Sequence, residues 1–366
     1  MSHSEPQLSP TVAALVDLVV RHHDAGFFVH DPAPSVLVFD PSTHAPILPD
    51  HELEKRSHTD VAHLAVGQLW SLLQGASPRT KLNAAGTYCQ RRGFELDLAD
   101  ALVLHTKAEI ERCFHRNRDF KVVQSGGMVW HVRRSLCRDV HDVVLDAPDR
   151  FLDLESAKIL KNGRGTTVAE TPGGAVLKRF NLKKYRNIVK HQFASSRARR
   201  AYQKAFHLEL MGIKTPRAIA FADRTTLGLV HRSYLLMEQV PDVVEGAQAI
   251  REWHDERSAK RTLALGEAGT LVGRLHGAGF ANRDLKASNL LAAPDGRVWL
   301  IDLDGVQHSG RVNEEIRIKN LRRMVRDLPV YGDLSLRDSL QFLRAYSRAG
   351  QNGGAKSLFR RLRDPE

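Results

Sequence analysis

Asp284, Asn289 and Asp302 stand at a spacing that suits phosphoryl transfer. The first two lie in Asn282-Arg283-Asp284-Leu285-Lys286-Ala287-Ser288-Asn289, and the third ends Leu300-Ile301-Asp302. Such chemistry needs one carboxylate to orient or deprotonate an acceptor hydroxyl. It also needs an amide and a second carboxylate to hold the magnesium that bridges the phosphates. Lys286 falls where a cation would lie near the transferred phosphoryl group. Singly, each of these is an ordinary polar loop residue; the ordered set carries the meaning.

The flanking residues supply elements to position them. Leu263 to Leu275 has apolar residues at helical spacing and runs into His276-Gly277. Leu290 and Leu291 form a short apolar run, Asp295-Gly296 signals a hairpin, and Val298 to Ile301 reads as the strand that delivers Asp302. Upstream, the same chemistry demands a glycine hairpin and a strand lysine. Lys158 to Lys161 predicts a short strand, followed by Asn162-Gly163-Arg164-Gly165-Thr166-Thr167-Val168. Gly163 and Gly165 let backbone N–H groups approach phosphates. After the turn Pro172-Gly173-Gly174, the strand Ala175 to Phe180 carries Lys178, the expected phosphate-binding lysine. The third glycine of the usual kinase loop is missing. Ser195 to Met211 predicts a helix that stops at Gly212. No acid occurs between Glu170 and Glu209, so either Glu209 pairs with Lys178 or that ion pair is absent. Tyr234 to Val240 predicts a strand turning polar, where backbone groups at Glu238 and Val240 would bind adenine.

These residues resemble a protein-kinase-like fold, and most closely the lipopolysaccharide kinase (Kdo/WaaP) family. The echoes are KNGRGTTV, VLKRF, SRARRAYQKAFHLELMGIKTP, LLMEQV, RLHGAGFANRDLKASNLL and LIDLDG, over roughly residues 155 to 345. The resemblance implies an α+β, bilobal architecture with a small antiparallel-sheet N-lobe and a mainly helical C-lobe. It implies ATP and Mg2+ as cofactors and a sugar hydroxyl of the lipopolysaccharide core, Kdo or heptose, or of a related glycan, as acceptor. Carried over residue by residue, Asp284 is the catalytic aspartate, Asn289 and Asp302 are the metal ligands, and Lys178 binds the phosphates. The chain departs from the kinase pattern at Asn282, where a histidine is expected, and at Asp304, where protein kinases place glycine. A serine/threonine-type protein kinase is the alternative enzyme, although no Ala-Pro-Glu follows Asp302. A catalytically weak pseudokinase scaffold is the alternative outside enzymes.

An internal repeat lies in the first third. RHHDAGFFVHDPAPSVLV, from Arg21, sets against RLHGAGFANRDLKASNLL, from Arg274, with a constant offset of 253. Tyr88-Cys89-Gln90-Arg91 similarly echoes Tyr346-Ser347-Arg348. Asp31 matches Asp284, but Val36 stands against Asn289 and Ala33 against Lys286. Valine cannot coordinate magnesium. The expected organisation is therefore a degenerate C-lobe-like repeat over 1–110, a connecting segment over 111–155, an N-lobe over 156–240 and a C-lobe over 241–366. The connecting segment carries an extra hairpin, Phe120 to Gln124 and Met128 to Arg133.

Composition sets the remaining bounds. The 366 residues are 42% apolar and 26% charged, which suits folded domains rather than a disordered chain. No apolar run approaches the roughly 18 residues of a membrane span, and the stretch from Val12 to Val20 has no basic lead or cleavage site, so a cytoplasmic location is expected. Three cysteines without a CxxC pair exclude a disulfide scaffold. The net charge of +12 and pI near 9.8 call for an anionic partner. From Lys178 to His207 there are ten lysines and arginines and no acid. Within this run Lys183, Lys184, Arg186 and Lys190 are the expected contacts with an anionic membrane surface, which would place the protein peripherally at the inner face of the cytoplasmic membrane. Aromatics are not interleaved with the charges, which argues against nucleic acid. His22, His23, His51 and His58 lack metal-ligand spacing.

Overall fold

The computed structural model describes residues 8–55, 62–136, 142–154, 157–181, 195–226, 229–253, 258–326, 334–350 and 354–363. The chain divides into two units, one of residues 1–111 with 210–212 and the other of 112–209 with 213–366.

In the first unit two helices start with the same Ser-Pro device. The Ser9 hydroxyl accepts from the Val12 N–H, and Pro10 opens α1 (Pro10–Asp24). Ser77 accepts from the Thr80 N–H, and Pro78 opens α3 (Pro78–Arg92). Between them run β1 (Phe27–Val29), a 3-10 turn (Pro34–Val36), β2 (Val38–Phe39), β3 (Pro46–Ile47), a second turn (Asp50–Glu52), β4 (Leu53–Lys55) and α2 (Ala62–Leu72). The last helix is α4 (Leu98–Arg112). Val16, Val19, Leu69, Trp70, Ala84 and Tyr88 form its buried core.

The second unit begins with a nucleotide-type lobe. Its strands are β5 (Phe120–Ser125), β6 (Met128–Arg133), β7 (Ile159–Asn162), β8 (Thr166–Thr171), β9 (Ala175–Asn181), β10 (Ala218–Thr226) and β11 (Leu229–Glu238). They form one antiparallel sheet in the order β5-β6-β10-β11-β9-β8-β7. The hairpin expected in a separate connecting segment is therefore part of this sheet, because β6 pairs along β10 from Ala220↔Val132 to Asp223↔Val129. The short helices α5 (Asp142–Asp146) and α6 (Pro148–Leu152) place Val144, Leu145, Phe151 and Leu152 in one core with Trp130, Leu177 and Tyr234. Asp149, at the start of α6, accepts hydrogen bonds from Tyr234, Arg179, Arg224 and Arg232. The helix α7 (Arg197–Leu210) packs Tyr202 against Phe221 of β10, with ring centroids 4.9 Å apart.

A helical lobe follows: β12 (Val244–Glu245), α8 (Gly246–Glu252), α9 (Ala259–Gly277), β13 (Phe280–Asn282), a 3-10 turn (Ala287–Asn289), β14 (Leu290–Ala292), β15 (Val298–Leu300), a turn (Leu303–Gly305) and β16 (Val306–His308). It ends in α10 (Glu314–Arg326), α11 (Leu336–Gly350) and α12 (Ala355–Arg363). Glycine lets α9 and α11 meet backbone to backbone. A Cβ on Gly269 would stand 2.3 Å from the Phe342 carbonyl oxygen, and one on Gly273 would stand 2.5 Å from that of Tyr346.

The first unit repeats the element order of this lobe from α9 onward. The pairing of β1 with β4 and of β13 with β16 has the same register at an offset of 253, with Phe27↔Lys55 matching Phe280↔His308 and Val29↔Leu53 matching Asn282↔Val306. Both 3-10 turns recur at that offset, Pro34–Val36 as Ala287–Asn289 and Asp50–Glu52 as Leu303–Gly305. One buried arrangement recurs too. His276 lies 2.8 Å from the Tyr346 hydroxyl through Nδ1 and 3.2 Å from Asn320 Oδ1 through Nε2, and Asn320 Oδ1 also accepts from the Asn282 N–H. His23 lies 2.6 Å from the Tyr88 hydroxyl and 3.2 Å from Gln68 Oε1, which accepts from the Val29 N–H. In each case the amide oxygen takes a backbone N–H, so the histidine donates from Nε2 and accepts the tyrosine proton at Nδ1. Burial above all holds both histidines at a pKa of about 4, well below the ordinary 6.5.

Candidate active site

Lys178 comes from the middle of β9. The flanking Leu177 is buried in the core of the lobe, which leaves Lys178 on the opposite face of the strand, shared with Phe180, whose ring centre lies 5.1 Å from the ammonium. Lys178 Nζ reaches Asp302 Oδ1 at 3.1 Å. Asp302 lies two residues past the end of β15 and has a left-handed backbone, φ 55° and ψ 71°, as the chain turns into the 303–305 turn. The 3-10 turn after the Asp284 loop is tied to the same place, since the Ile301 N–H donates to the Asn289 carbonyl at 2.8 Å. Asn289 is buried, and its Nδ2 donates to the Asp284 carbonyl at 2.8 Å and to Asp284 Oδ2 at 3.3 Å. The amide is thereby oriented with its oxygen available as a ligand. Asp284 has a side chain 54% exposed, with Lys286 Nζ 3.4 Å from Oδ2. That exposure is what a carboxylate needs if it is to meet an acceptor hydroxyl.

Asn282 stands where a kinase histidine is expected, and it supports the loop. Its Oδ1 accepts from the Asp284 N–H at 2.9 Å. The glycine missing at Asp304 is one residue later. A Cβ on Gly305 would stand 2.4 Å from Asn282 Oδ1 and 2.8 Å from the Asp284 nitrogen. The Gly305 carbonyl also accepts from the Arg283 N–H at 3.0 Å. The loop that carries Asp284 and the loop that carries Asp302 thus close on each other through Asn282 and Gly305.

The glycine hairpin between β7 and β8 closes with the Gly163 N–H on the Thr166 carbonyl at 2.9 Å. The Gly163 carbonyl accepts from Asn181 Nδ2, and the Gly165 carbonyl accepts from the Asn181 N–H and from Arg197. At the link between lobes, the Glu238 N–H donates to the Arg217 carbonyl at 2.9 Å, and its carboxylate is held by both arms of the Arg217 guanidinium. That hydrogen bond pulls Glu238 below the usual carboxylate range. The backbone donor of Glu238 is therefore taken within the protein; Val240 lies just beyond β11.

Glu209 does not pair with Lys178. Its carboxylate is bidentate with Arg133 of β6, at 2.6 and 2.8 Å. Position explains the difference: Glu209 is in the last turn of α7, beside the hairpin strand rather than the cleft. What α7 directs to the cleft is cationic. Lys204 Nζ donates to the Leu303 and Asp304 carbonyls, each at 3.0 Å, and Arg197 pairs with the Asp304 carboxylate. Burial pushes Asp304 up, but Arg197, Lys178 and Lys204 together hold it below its ordinary value. Burial lowers the Lys204 ammonium. The basic run from Lys178 is thus not a single solvated face, since Lys178, Arg197 and Lys204 all turn into the site. Lys183, Lys184, Arg186 and Lys190 lie outside the described residues.

Among the described residues no cluster of three or more His, Cys, Asp or Glu would hold a metal by protein ligands alone. Asn289 and Asp302 instead offer one amide and one carboxylate oxygen. Hard oxygen donors of that kind fit Mg2+, whose remaining ligands are supplied by phosphates and water. The equivalent positions in the first unit are Val36 and Pro49, which offer no side-chain oxygen.

An antiparallel sheet bearing the phosphate-type lysine, joined to a helical lobe bearing the Asp–Asn–Asp set, defines a bilobal protein-kinase-like fold. Residues 161–346 match the Lipopolysaccharide kinase (Kdo/WaaP) family, and the chain belongs to it. It is 33% identical over 138 residues to a 3-deoxy-D-manno-octulosonic acid kinase of Stenotrophomonas maltophilia, covering 34% of this chain and 50% of that protein. It is 29% identical over 160 residues to the Lipopolysaccharide core heptose(I) kinase WaaP of Pseudomonas aeruginosa, covering 41% of this chain and 59% of that one. The matched part thus spans about half the length of these curated relatives. A solved structure, WaaP in complex with acyl carrier protein, aligns at a TM-score of 0.41 and 22% identity, covering 58% of this chain and 86% of that one. Among the described residues no helix is long and apolar enough to cross a membrane.

Proposed function

We propose that the protein is an ATP-dependent phosphotransferase acting on a sugar hydroxyl of the lipopolysaccharide core, Kdo or heptose, or of a related glycan. The observation that carries this reading is the convergence of Lys178, Asp284, Asn289 and Asp302, drawn from both lobes, in one hydrogen-bonded set. Family membership and the names of the relatives support the acceptor class. Asp284 orients the acceptor hydroxyl and receives its proton. Lys178 steadies the nucleotide phosphates, and Lys286 lies beside Asp284 to meet the charge of the transferred group. Gly163 and Gly165 form the hairpin over the phosphates, and the Val240 backbone is the contact for adenine. Asn289 and Asp302 would hold Mg2+, which when bound neutralises phosphate charge.

A peptide acceptor is disfavoured by the short path after Asp302. β16 ends at His308 and α10 starts at Glu314, so only residues 309–313 lie between them. That leaves no long activation segment to seat a peptide. The first unit is read as a duplicated helical lobe that lost its metal ligands and keeps a packing or substrate-presenting role. The charge run over 183–190 supports peripheral attachment to an anionic leaflet on the cytoplasmic side, where ATP is found. The deciding experiment is transfer of labelled γ-phosphate from ATP to a panel of core oligosaccharides and peptides. Label in the oligosaccharides alone bears the reading out; label only in peptides, or none anywhere, refutes it.

A further inference from the structure

Asp302 has a left-handed backbone, a conformation that non-glycine residues adopt at a cost and keep only where surroundings enforce it. Its side chain must nevertheless be held in one place to act as a ligand. Where a helix glutamate pairs with the strand lysine, that pair ties helix, strand and loop together. Here the acid of α7 is turned away to Arg133, so something else must tie α7 to the Asp302 loop.

Two cations on one face of α7 make that tie. Arg197 and Lys204 are seven residues apart, two helical turns. Lys204 Nζ donates to the carbonyls of Leu303 and Asp304, the two residues that follow Asp302, at 3.0 Å each. These bonds fix the direction in which the backbone leaves Asp302. Arg197 pairs with the Asp304 carboxylate, donates to the Gly165 carbonyl at 3.2 Å, and stacks its guanidinium 4.8 Å from the centre of the Phe180 ring. It therefore joins the glycine hairpin, β9 and the Asp302 loop in one contact set.

We propose that Lys204 and Arg197 are positioning residues that hold the Asp302 loop in its working geometry, in place of a lysine–glutamate ion pair. The proposal rests on the reading of Asp302 as a metal ligand. Neither residue touches substrate in this role; each acts through Asp302. The polarity is inverted relative to the usual device, because the helix supplies cations and the loop supplies carbonyl and carboxylate oxygens.

The test uses the full chain and four variants: Lys204→Met, Lys204→Arg, Arg197→Gln and, as a separate control, Asp302→Ala. The first readout is amide hydrogen exchange over residues 302–306 without ligand. Faster exchange there in Lys204→Met and Arg197→Gln, with the β9–β11 strands unchanged, is the expected result. The second is binding of ADP titrated with and without Mg2+, together with the split between kcat and KM for ATP. Removing groups that orient a ligand typically costs about 10–100-fold in affinity or activity. We expect a loss of that size in Mg2+-dependent ADP affinity, with kcat falling as well, and partial recovery in Lys204→Arg. Unchanged loop exchange and unchanged Mg2+ dependence in Lys204→Met would overturn the proposal. So would equal damage in Lys204→Arg and Lys204→Met, since the charge would then not be what matters. If Lys204→Met is too unstable to measure, Arg197→Gln and Lys204→Arg decide by the same exchange readout. Asp302→Ala separates the two levels. If that variant keeps wild-type Mg2+ dependence, the metal-ligand reading itself fails. If it loses the dependence while Lys204→Met does not, only the positioning role fails.

Discussion

The Lys178 ammonium and the Asp302 carboxylate lie 3.1 Å apart, so the group that would meet phosphate and the group that would meet metal neutralise each other across the cleft. Each is thus held, in one geometry, by the partner it would exchange for ligand. Lys178→Met is expected to weaken ATP binding. Asp302→Ala is expected to remove most of the Mg2+ dependence of nucleotide binding, and Asn289→Ala to reduce it less, because a carboxylate brings charge to a hard cation and an amide only a dipole. Calorimetric titration of ADP with and without Mg2+ checks the ranking. Equal Mg2+ dependence in wild type and Asp302→Ala would contradict it.

Asp284→Ala should abolish transfer while sparing nucleotide affinity. Its side chain is open and is tied to Asn289 rather than to the nucleotide lobe. Positioned base catalysis contributes about 10²–10⁴-fold, so a drop of that order is expected in kcat. Single-turnover transfer beside an ADP titration separates the two effects. A variant with near-normal turnover would remove Asp284 from its role.

Asp31→Ala is expected to leave transfer unchanged. Asp31 sits at the position of Asp284 in the repeated element order, yet the positions that would hold metal beside it are Val36 and Pro49. Steady-state kinetics on the folded variant suffices. A transfer defect with an unchanged melting temperature would show that the first unit takes part in the chemistry.

Gly305→Ala should cripple the site without any change of charge. The new methyl group would lie 2.4 Å from Asn282 Oδ1 and 2.8 Å from the Asp284 nitrogen, so one of the two loops must move. Overpacking of this kind typically costs about 1–3 kcal/mol. A lower melting temperature together with lost transfer is expected, and normal transfer would show that the two loops are not mutually fixed.

Acid should destabilise the protein through His23 and His276. Both have a folded pKa near 4 against an ordinary 6.5, so the fold binds the neutral ring and the unfolded chain takes up the proton. Their contribution is fully present above about pH 6.5 and is lost as pH falls toward 4. Melting temperature measured across that window should decline, and the slope should lessen in His276→Gln. A flat profile from pH 6.5 to 4.5 would show that neither ring resists protonation.

Much of this was legible because it is local. The Asp-x-x-x-x-Asn spacing, the hairpin at Asp295-Gly296 and the strand around Lys178 are written in neighbouring residues, and the elements form where that pattern places them. The sequence pattern also marks Phe120–Ser125 and Met128–Arg133 as a hairpin, but not as part of the nucleotide-lobe sheet, because the pairing with β10 spans some ninety residues of chain. Glu209 is the single acid of the helix that follows Lys178, and Arg133 takes it from 76 residues upstream. The inward turn of Arg197 and Lys204 was hidden within a uniform run of charge. Which face of a helix meets a loop a hundred residues away depends on packing that composition does not encode. Asp304 at a glycine position looked like a departure, and the backbone resolves it by putting the required glycine one residue later.

The twinned histidines give the molecule an internal reference. His276 shares Asn320 with the strand that leads into the Asp284 loop, whereas His23 makes the same contacts beside a loop whose metal positions carry no oxygen ligand. Two imidazoles of like tautomer, burial and partners are thus present in one chain at equal concentration. When Mg2+ and nucleotide are added, a change in the nitrogen resonances of His276 reports the cleft, and the unchanged signals of His23 calibrate it in the same sample.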